Sequence, residues 1–208
     1  MIGKWNKSVI LSYMGLLSTV IGIYLVFNNK ISYAFACLVI SGICDMFDGT
    51  VARKCKRTEE EIEFGIQLDS LIDAVSFGAF PIIIFYGMGL TEIYHVIIYF
   101  IYGMFAVARL ANFNLSATNT PKKYYTGLPV TSASIIFPGF YLLSRILNTN
   151  IFNTIYTLVI LIVAILFVLN IKVIKPKNKA LIFLLILGII GTIILVIWQK
   201  HTIEQLNK

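Results

Sequence analysis

Charged residues are scarce in this chain. Lys, Arg, Asp and Glu make up 13% of its 208 residues, hydrophobic residues make up 58%, and the mean hydropathy is +0.86. A soluble domain usually has about 25% charged residues. The composition therefore excludes an ordinary water-soluble domain and predicts an all-α polytopic membrane protein, each span of which needs about 20 mostly apolar residues.

Cysteine and histidine are also few. The three cysteines, Cys37, Cys44 and Cys55, form no pattern of pairs, and the two histidines, His95 and His201, lie far from each other in the sequence. This excludes a disulfide framework and gives no indication of a zinc site. We expect Cys37 and Cys44 to be buried as small apolar residues.

Negative charge is both rare and concentrated. The chain has four aspartates, Asp45, Asp48, Asp69 and Asp73, in otherwise apolar surroundings. A carboxylate at membrane depth is costly, so an ionisable group there is a functional candidate. Four carboxylates are tolerated together if they share cations, and hard divalent ions prefer oxygen ligands. The cluster therefore predicts a two-metal site at a membrane boundary.

Seven apolar stretches are long enough to be candidate spans. They are residues 8–27, 31–54, 63–87, 91–115, 128–147, 150–171 and 179–199. The first is not followed by a small-residue cleavage site, so we expect a retained span rather than a signal peptide. We expect one helical domain over residues 1–208.

The basic residues predict the orientation. With the N-terminus in the cytoplasm, most of the 17 Lys and Arg residues fall on the inner side. This places the aspartates at the cytoplasmic ends of the second and third spans. The net charge of +7 fits contact with anionic lipid, and we expect no nucleic-acid binding.

The spacing of the aspartates suggests how they meet. Asp45 and Asp48 are three residues apart and Asp69 and Asp73 are four apart, so on helices each pair projects from one face. Consecutive spans joined by a short loop are neighbours, so the pairs can face each other across a groove. Two divalent cations would balance the four carboxylates, and paired metals about 3.5–4 Å apart suit displacement at phosphorus.

Small residues and an arginine accompany the aspartates. Gly49 lets a ligand approach the helix backbone beside Asp48, and a helix-interior glycine costs about 1 kcal/mol relative to alanine, so a binding or packing reason is expected. Ala52 and Gly65 leave similar room. Arg53 can offer a planar fork of donors to a phosphate.

The complete pattern resembles the signature of the CDP-alcohol phosphatidyltransferases. It reads Asp45-Met-Phe-Asp48-Gly49-Thr-Val-Ala52-Arg53, then eleven residues, then Gly65-x-x-x-Asp69-x-x-x-Asp73. The spacer is longer than the commonest family form, and we expect a longer loop rather than a lost site. The resemblance implies a six-helix core over about residues 1–171, with 179–199 as an additional C-terminal helix.

The resemblance also implies roles at the matching positions. Asp45, Asp48 and Asp69 would bind metal, and Asp73 would contribute to the second ion and act as general base. Gly49, Ala52, Arg53 and Gly65 would line the site for the CDP moiety. The implied cofactors are two divalent cations, Mg²⁺ or Mn²⁺. The family also implies a homodimer, and together with the charge distribution it suggests a plasma-membrane enzyme facing the cytoplasm.

Three further stretches concern the acceptor alcohol. Residues 67–78, 108–114 and 125–129 resemble the branch of the family that uses serine, which implies CDP-diacylglycerol and L-serine as substrates. A serine carboxylate suits a bidentate cation, and Arg109 is available for this. Asn112 and Asn114 could add amide contacts, and Thr126 and Gly127 could shape the pocket.

Several alternatives stay open at this point. Arg109 could instead snorkel to lipid phosphate, and Thr126 and Gly127 could form a simple turn before Pro129. Glycerol 3-phosphate or inositol phosphate acceptors need a phosphate site, which Lys122 and Lys123 could supply. A cation transporter with an aspartate-lined site is the rival from another class, but it would place its carboxylates near the midplane.

Overall fold

The chain forms a set of long apolar helices. In the computed structural model, residues 6–117, 124–174 and 186–197 are described, together with Gly3. The α-helices are α1 (Ile10–Phe27), α2 (Ile31–Lys54), α3 (Glu59–Asp73), α4 (Phe80–Gly87), α5 (Ile93–Ala117), α6 (Ala133–Tyr141), α7 (Thr149–Val168) and α8 (Ile186–Ile197).

Five segments of the described chain are long and apolar enough to cross a membrane. They are Lys7–Phe27, Ile31–Lys54, Glu59–Gly87, Ile93–Leu115 and Thr149–Val168. The segment Glu59–Gly87 contains both α3 and α4, joined by a π-helical turn at Ala74–Ala79. The prediction of an all-α multi-pass membrane protein is confirmed.

One of the seven predicted spans differs from expectation, and another is described only in part. The stretch 128–147 contains α6, flanked by 3₁₀ turns at Val130–Ser132 and Leu142–Arg145, and is shorter than predicted. Pro129 disfavours helical geometry at the residue before it. Pro138 lies inside α6, where it cannot donate a backbone hydrogen bond and disrupts the helix. Helix α8 lies within the predicted span 179–199, the rest of which is outside the described residues.

A short antiparallel ribbon joins the loop before α6 to the end of α7. Strand β1 (Tyr124–Thr126) pairs with β2 (Lys172–Ile174), with Thr126 opposite Lys172. Gly127 follows β1 with φ +76°, and a Cβ there would lie 2.5 Å from the Phe167 carbonyl oxygen. Only glycine fits this close approach without strain.

Small residues allow α1 and α2 to pack closely. A Cβ on Gly15 would lie 3.3 Å from the Cys44 Cβ. Buried hydroxyls of α1 reach two neighbours: Ser18 Oγ donates to the Cys37 carbonyl of α2 at 2.9 Å, and Thr19 Oγ1 donates to Ser76 Oγ of the π-helical turn at 2.8 Å. Small interface residues and interhelical hydrogen bonds are typical of membrane helices, and here they fix α1 against α2 and the π-helical turn.

The connection between α2 and α3 is anchored on both sides. Thr58 caps α3 in a capping box, since Glu61 N donates to Thr58 Oγ1 at 3.3 Å and Thr58 N donates to Glu61 Oε2 at 2.8 Å. Asn6 Nδ2 donates to the Lys56 carbonyl at 3.2 Å. The loop therefore holds a defined position over the N-terminal end of α1.

Candidate active site

The four aspartates converge as the spacing predicted. The second half of α2 carries Asp45 and Asp48, and α3 carries Asp69 and Asp73. One carboxylate oxygen each from Asp45, Asp48 and Asp69 lie within 4.8 Å of one another. Asp73 is buried and lines the same inner pocket as the other three.

Two cavities meet at this cluster. The inner pocket has a volume of about 10 Å³ and is lined by the four aspartates together with Ser12, Gly15, Ser41, Ile72 and Phe77. An open cleft of about 120 Å³ shares Ser12, Asp48 and Asp69 with it. A small carboxylate-lined pocket at the base of a wider cleft suits an ion below a larger ligand.

The small residues of the motif line the wider cleft. Gly49, Ala52 and Gly65 all contribute to its wall. A Cβ on Gly65 would meet nothing within 4 Å, and one on Gly49 would be 3.6 Å from the nearest atom, Arg53 Nη1. Helix packing therefore does not require glycine at these two positions, whereas a ligand approaching the backbone would.

The two arginines near the motif occupy different places. Arg53 is exposed, and its Nη2 donates to Thr50 Oγ1 at 3.0 Å. Arg53 is not among the residues that line the cleft, but Arg57 is. Arg53 was identifiable from its fixed place in the motif, whereas Arg57 lies in a charged loop with no distinguishing pattern and was not predicted.

A residue from α1 also belongs to the cluster. Ser12 Oγ donates to Asp48 Oδ2 at 2.9 Å, and Ser12 lines both cavities. Ser12 was not predicted from the sequence. It follows Ser8 by four residues, and Ser8 lines the same cleft, so two serines on one face of an apolar span were a detectable signal.

Helix α5 brings part of the predicted acceptor set beside α3. Ser70 Oγ donates to Asn114 Oδ1 at 2.9 Å, and a Cβ on Gly78 would lie 3.9 Å from the Ala106 Cβ. These contacts make α5 antiparallel to the α3–α4 span and place Arg109 roughly level with Asp73. The Arg109 side chain is 6% exposed, and its Cζ lies 5.0 Å from the centre of the Phe113 ring.

The other predicted acceptor residues are placed differently. Asn112 is exposed on α5. Gly127 is buried against the end of α7, and its N–H donates to the Ile171 carbonyl at 2.9 Å, so the alternative of a structural turn accounts for this glycine. The Thr126 side chain lies outside the described residues, as do Lys122 and Lys123.

The donor set of the cluster fits hard divalent cations. Its ligands are carboxylate oxygens, several of them close enough to share one ion, and Mg²⁺ and related ions prefer oxygen. Partial burial makes uncompensated carboxylates expensive, so bound cations would relieve that cost. Such ions at the base of the cleft could stabilise charge on a phosphate ester or diphosphate.

The comparison with protein families decides between an enzyme and a transporter at this site. The family model described as CDP-alcohol phosphatidyltransferase matches residues 5–198. This chain belongs to the CDP-alcohol phosphatidyltransferase family. The resemblance inferred from the signature is confirmed, and the match extends well beyond residues 45–73, from the first span into α8.

Individual relatives of this CDP-alcohol phosphatidyltransferase are named for serine as acceptor. A CDP-diacylglycerol–serine O-phosphatidyltransferase of Methanocaldococcus jannaschii is 29% identical over 86% of this chain and 82% of that protein. One of Saccharomyces cerevisiae is 35% identical over 49% of this chain and 38% of its own length. An archaetidylserine synthase of Methanothermobacter thermautotrophicus is 30% identical over 64% of this chain and 56% of that protein. The matched region thus spans roughly half or less of the last two proteins.

Proposed function

We propose that this CDP-alcohol phosphatidyltransferase transfers a phosphatidyl group from CDP-diacylglycerol to L-serine and releases CMP. The observation that carries the reaction type is the convergence of four carboxylates at the base of a glycine-lined cleft. The choice of serine is supported by the names of the relatives and by the buried arginine on α5.

The reaction is a displacement at the phosphatidyl phosphorus. The serine hydroxyl oxygen forms a bond to that phosphorus, the bond from phosphorus to the CMP oxygen breaks, and CMP leaves with the electron pair. The hydroxyl proton passes to Asp73, the buried carboxylate of the cluster, acting as general base. Two divalent cations, Mg²⁺ or Mn²⁺ held by Asp45, Asp48, Asp69 and Asp73, would neutralise the carboxylates and the charge developing on the diphosphate.

The cleft wall supports the placement of the donor. Gly49, Ala52 and Gly65 leave open space beside Asp48 and Asp69, so the CDP moiety can approach the helix backbones. Arg53 lies outside this wall and would act from the rim. The acyl chains would remain in the bilayer, beside the lipid-facing surfaces of the helices.

The acceptor would bind where α5 meets α3. Arg109 would pair with the serine carboxylate, since its planar fork matches two carboxylate oxygens. The side chains of Asn112 and Asn114 are candidates for further contacts, and Asn114 is positioned by its hydrogen bond from Ser70. Thr126 would shape the edge of the pocket, and Gly127 would act only through the turn that it forms after β1.

The setting of the enzyme is part of the proposal. The chain would act as one catalytic domain in the plasma membrane, as a homodimer, with its N-terminus and active site facing the cytoplasm. The concentration of Lys and Arg at the aspartate end supports this orientation.

A panel of acceptors tests the function. Purified protein with Mg²⁺ or Mn²⁺ is supplied with CDP-diacylglycerol and one acceptor at a time, and both CMP and the lipid product are measured. We expect products with serine. Product with glycerol 3-phosphate or inositol phosphate alone would keep the mechanism and overturn the acceptor. No CMP from folded protein with any acceptor would contradict the proposed function.

A further inference from the structure

We infer that Arg57 binds the diphosphate of the CDP-linked donor, an inference that rests on the proposed function. The cleft above the aspartates is lined by Ser8, Val9, Ser12, Asp48, Gly49, Ala52, Arg57, Gly65, Ile66 and Asp69. Within the described part of the chain, Arg57 is the one positively charged residue in that lining. The arginine of the signature, Arg53, is not in it.

The backbone on both sides of Arg57 is anchored. The preceding carbonyl, of Lys56, accepts a hydrogen bond from Asn6 Nδ2 at 3.2 Å. The following residue, Thr58, begins α3 through its capping box with Glu61. Arg57 itself is half-buried, whereas Lys54 at the end of α2 and Lys56 in the loop are exposed. The loop therefore presents Arg57 to the cleft, while both nearby lysines lie in solvent.

The charges in the cleft explain why a cation is needed there. Asp48 and Asp69 form part of the same wall, and a diphosphate entering beside them meets negative charge. Cations bound at the aspartates would act from the base of the cleft, and a guanidinium in the cleft wall would add a second positive charge. Arginine suits this role because its planar fork donates two parallel hydrogen bonds to phosphate oxygens.

The Arg53 side chain is occupied differently. Its Nη2 donates to Thr50 Oγ1 one turn back on α2, which keeps the guanidinium along the exposed surface of that helix. Arg57 approaches the cleft from the loop and needs no rearrangement of α2 to reach a ligand. The two arginines are thus separable by mutation, and only Arg57 should contribute a direct contact inside the cleft.

Steady-state kinetics of three variants test the inference. Charge-assisted hydrogen bonds to phosphate predict that Arg57→Ala raises the KM for CDP-diacylglycerol about 10- to 100-fold, with the KM for serine unchanged. Arg57→Lys keeps the charge but loses the planar fork of donors, so its KM for CDP-diacylglycerol should lie between those of the wild type and Arg57→Ala. Lys56→Ala removes the same charge from the adjacent exposed position and should stay near wild type. A KM rise in Lys56→Ala equal to that in Arg57→Ala, or an effect on kcat alone, would overturn the inference.

Direct binding of CDP separates this inference from the choice of acceptor. Binding to purified protein with Mn²⁺, with no acceptor present, should weaken in Arg57→Ala and in part in Arg57→Lys. If the wild type releases no CMP with serine but the Arg57 variants bind CDP more weakly than it does, the acceptor is wrong and the role of Arg57 stands. If the wild type uses serine and both variants bind CDP as it does, Arg57 is not a donor-binding residue. Unfolding temperatures in detergent check that each variant is folded. If Arg57→Ala does not fold, CDP binding by Arg57→Lys is the deciding measurement.

Discussion

Asp48 depends on a residue far from it in the sequence. Its Oδ2 accepts a hydrogen bond from Ser12 on α1, 36 residues earlier. A donor to one carboxylate oxygen fixes the rotamer and directs the other oxygen, and such supporting partners of metal ligands strongly affect affinity. The inner pocket is therefore a product of three helices rather than of the two that carry the signature.

Removal of the Ser12 hydroxyl should weaken metal binding. We expect Ser12→Ala to raise the divalent-ion concentration for half-maximal CMP release about 10- to 100-fold, while Ser12→Thr keeps the donor and most of the affinity. Ser18→Ala is the matched control, since that hydroxyl donates to the Cys37 carbonyl. A Ser12→Ala enzyme with wild-type metal dependence would contradict the assignment.

Loss of the Arg109 guanidinium should affect the acceptor more than the donor. Arg109→Ala removes the proposed partner of the serine carboxylate, so the KM for serine should rise about tenfold or more and that for CDP-diacylglycerol should change little. Phe113→Leu, which removes the ring beside the guanidinium but not the charge, is the comparison. Equal changes in both KM values for Arg109→Ala would remove it from the acceptor site.

Some site residues could be predicted from the sequence because their residue type seldom has a purely structural role in a membrane helix. A carboxylate in an apolar span needs a cation or a partner, so the aspartates were identifiable, and the glycines at fixed offsets followed. Ser12 and Arg57 were missed because a serine in a membrane helix and an arginine in a charged loop both have common structural roles. Their contribution depends on contacts between segments that no local pattern encodes.

The span Glu59–Gly87 changes its helical geometry directly after the last aspartate of the cluster. Asp73 ends α3, the π-helical turn Ala74–Ala79 follows, and Pro81 lies in the first turn of α4. Proline cannot donate a backbone hydrogen bond one turn back. The Tyr102 hydroxyl, fully buried on α5, donates to the Phe77 carbonyl at 2.6 Å. Tyr102 thus supplies a donor where the helix has lost its own.

Deleting that hydroxyl should destabilise the protein. Tyr102→Phe leaves the Phe77 carbonyl without this donor in a buried site, which costs about 1–3 kcal/mol. The unfolding free energy in detergent should fall by that amount. Tyr94→Phe on the same helix is the control, since Tyr94 is 53% exposed. If the two variants were equally stable, Tyr102 would have no role in stabilising the turn.

Long elements were predicted well and short ones were not. A run of about 20 apolar residues is a strong signal, and five segments of the described chain have this form. The π-helical turn was hidden inside such a run. The ribbon of β1 and β2 has three residues in each strand, too few for an alternating pattern. Gly127 suggested a turn, but its packing against α7 depends on a segment about 40 residues away.

At the scale of the whole molecule, the two connections around α2 lie at opposite ends of that helix. The α1–α2 turn contains Lys30, and the α2–α3 loop contains Cys55. Since the aspartates lie near the second connection, the orientation of the chain determines which compartment supplies the acceptor. The excess of basic residues at this end supports the proposal that it faces the cytoplasm.

Thiol labelling of intact cells should report this orientation. With Cys37 and Cys44 replaced by alanine, Cys55 should resist a membrane-impermeant maleimide until the cells are permeabilised. In the matched variant, Cys55→Ser and Lys30→Cys place the only thiol at the exposed residue of the opposite turn, which should be labelled at once. The reverse pattern would invert the proposed topology.

The most direct test of the account is CMP release by wild type and Asp69→Asn, each with and without divalent cation. Asp69 contributes an oxygen to the cluster, and the amide cannot replace its charge. Glu63→Gln makes the same chemical change at an exposed position of α3 and serves as control. We predict cation-dependent release in wild type and Glu63→Gln and a loss of about a thousandfold or more in Asp69→Asn, about 4 kcal/mol. Near-normal release by folded Asp69→Asn, or release without any divalent cation, would contradict the account.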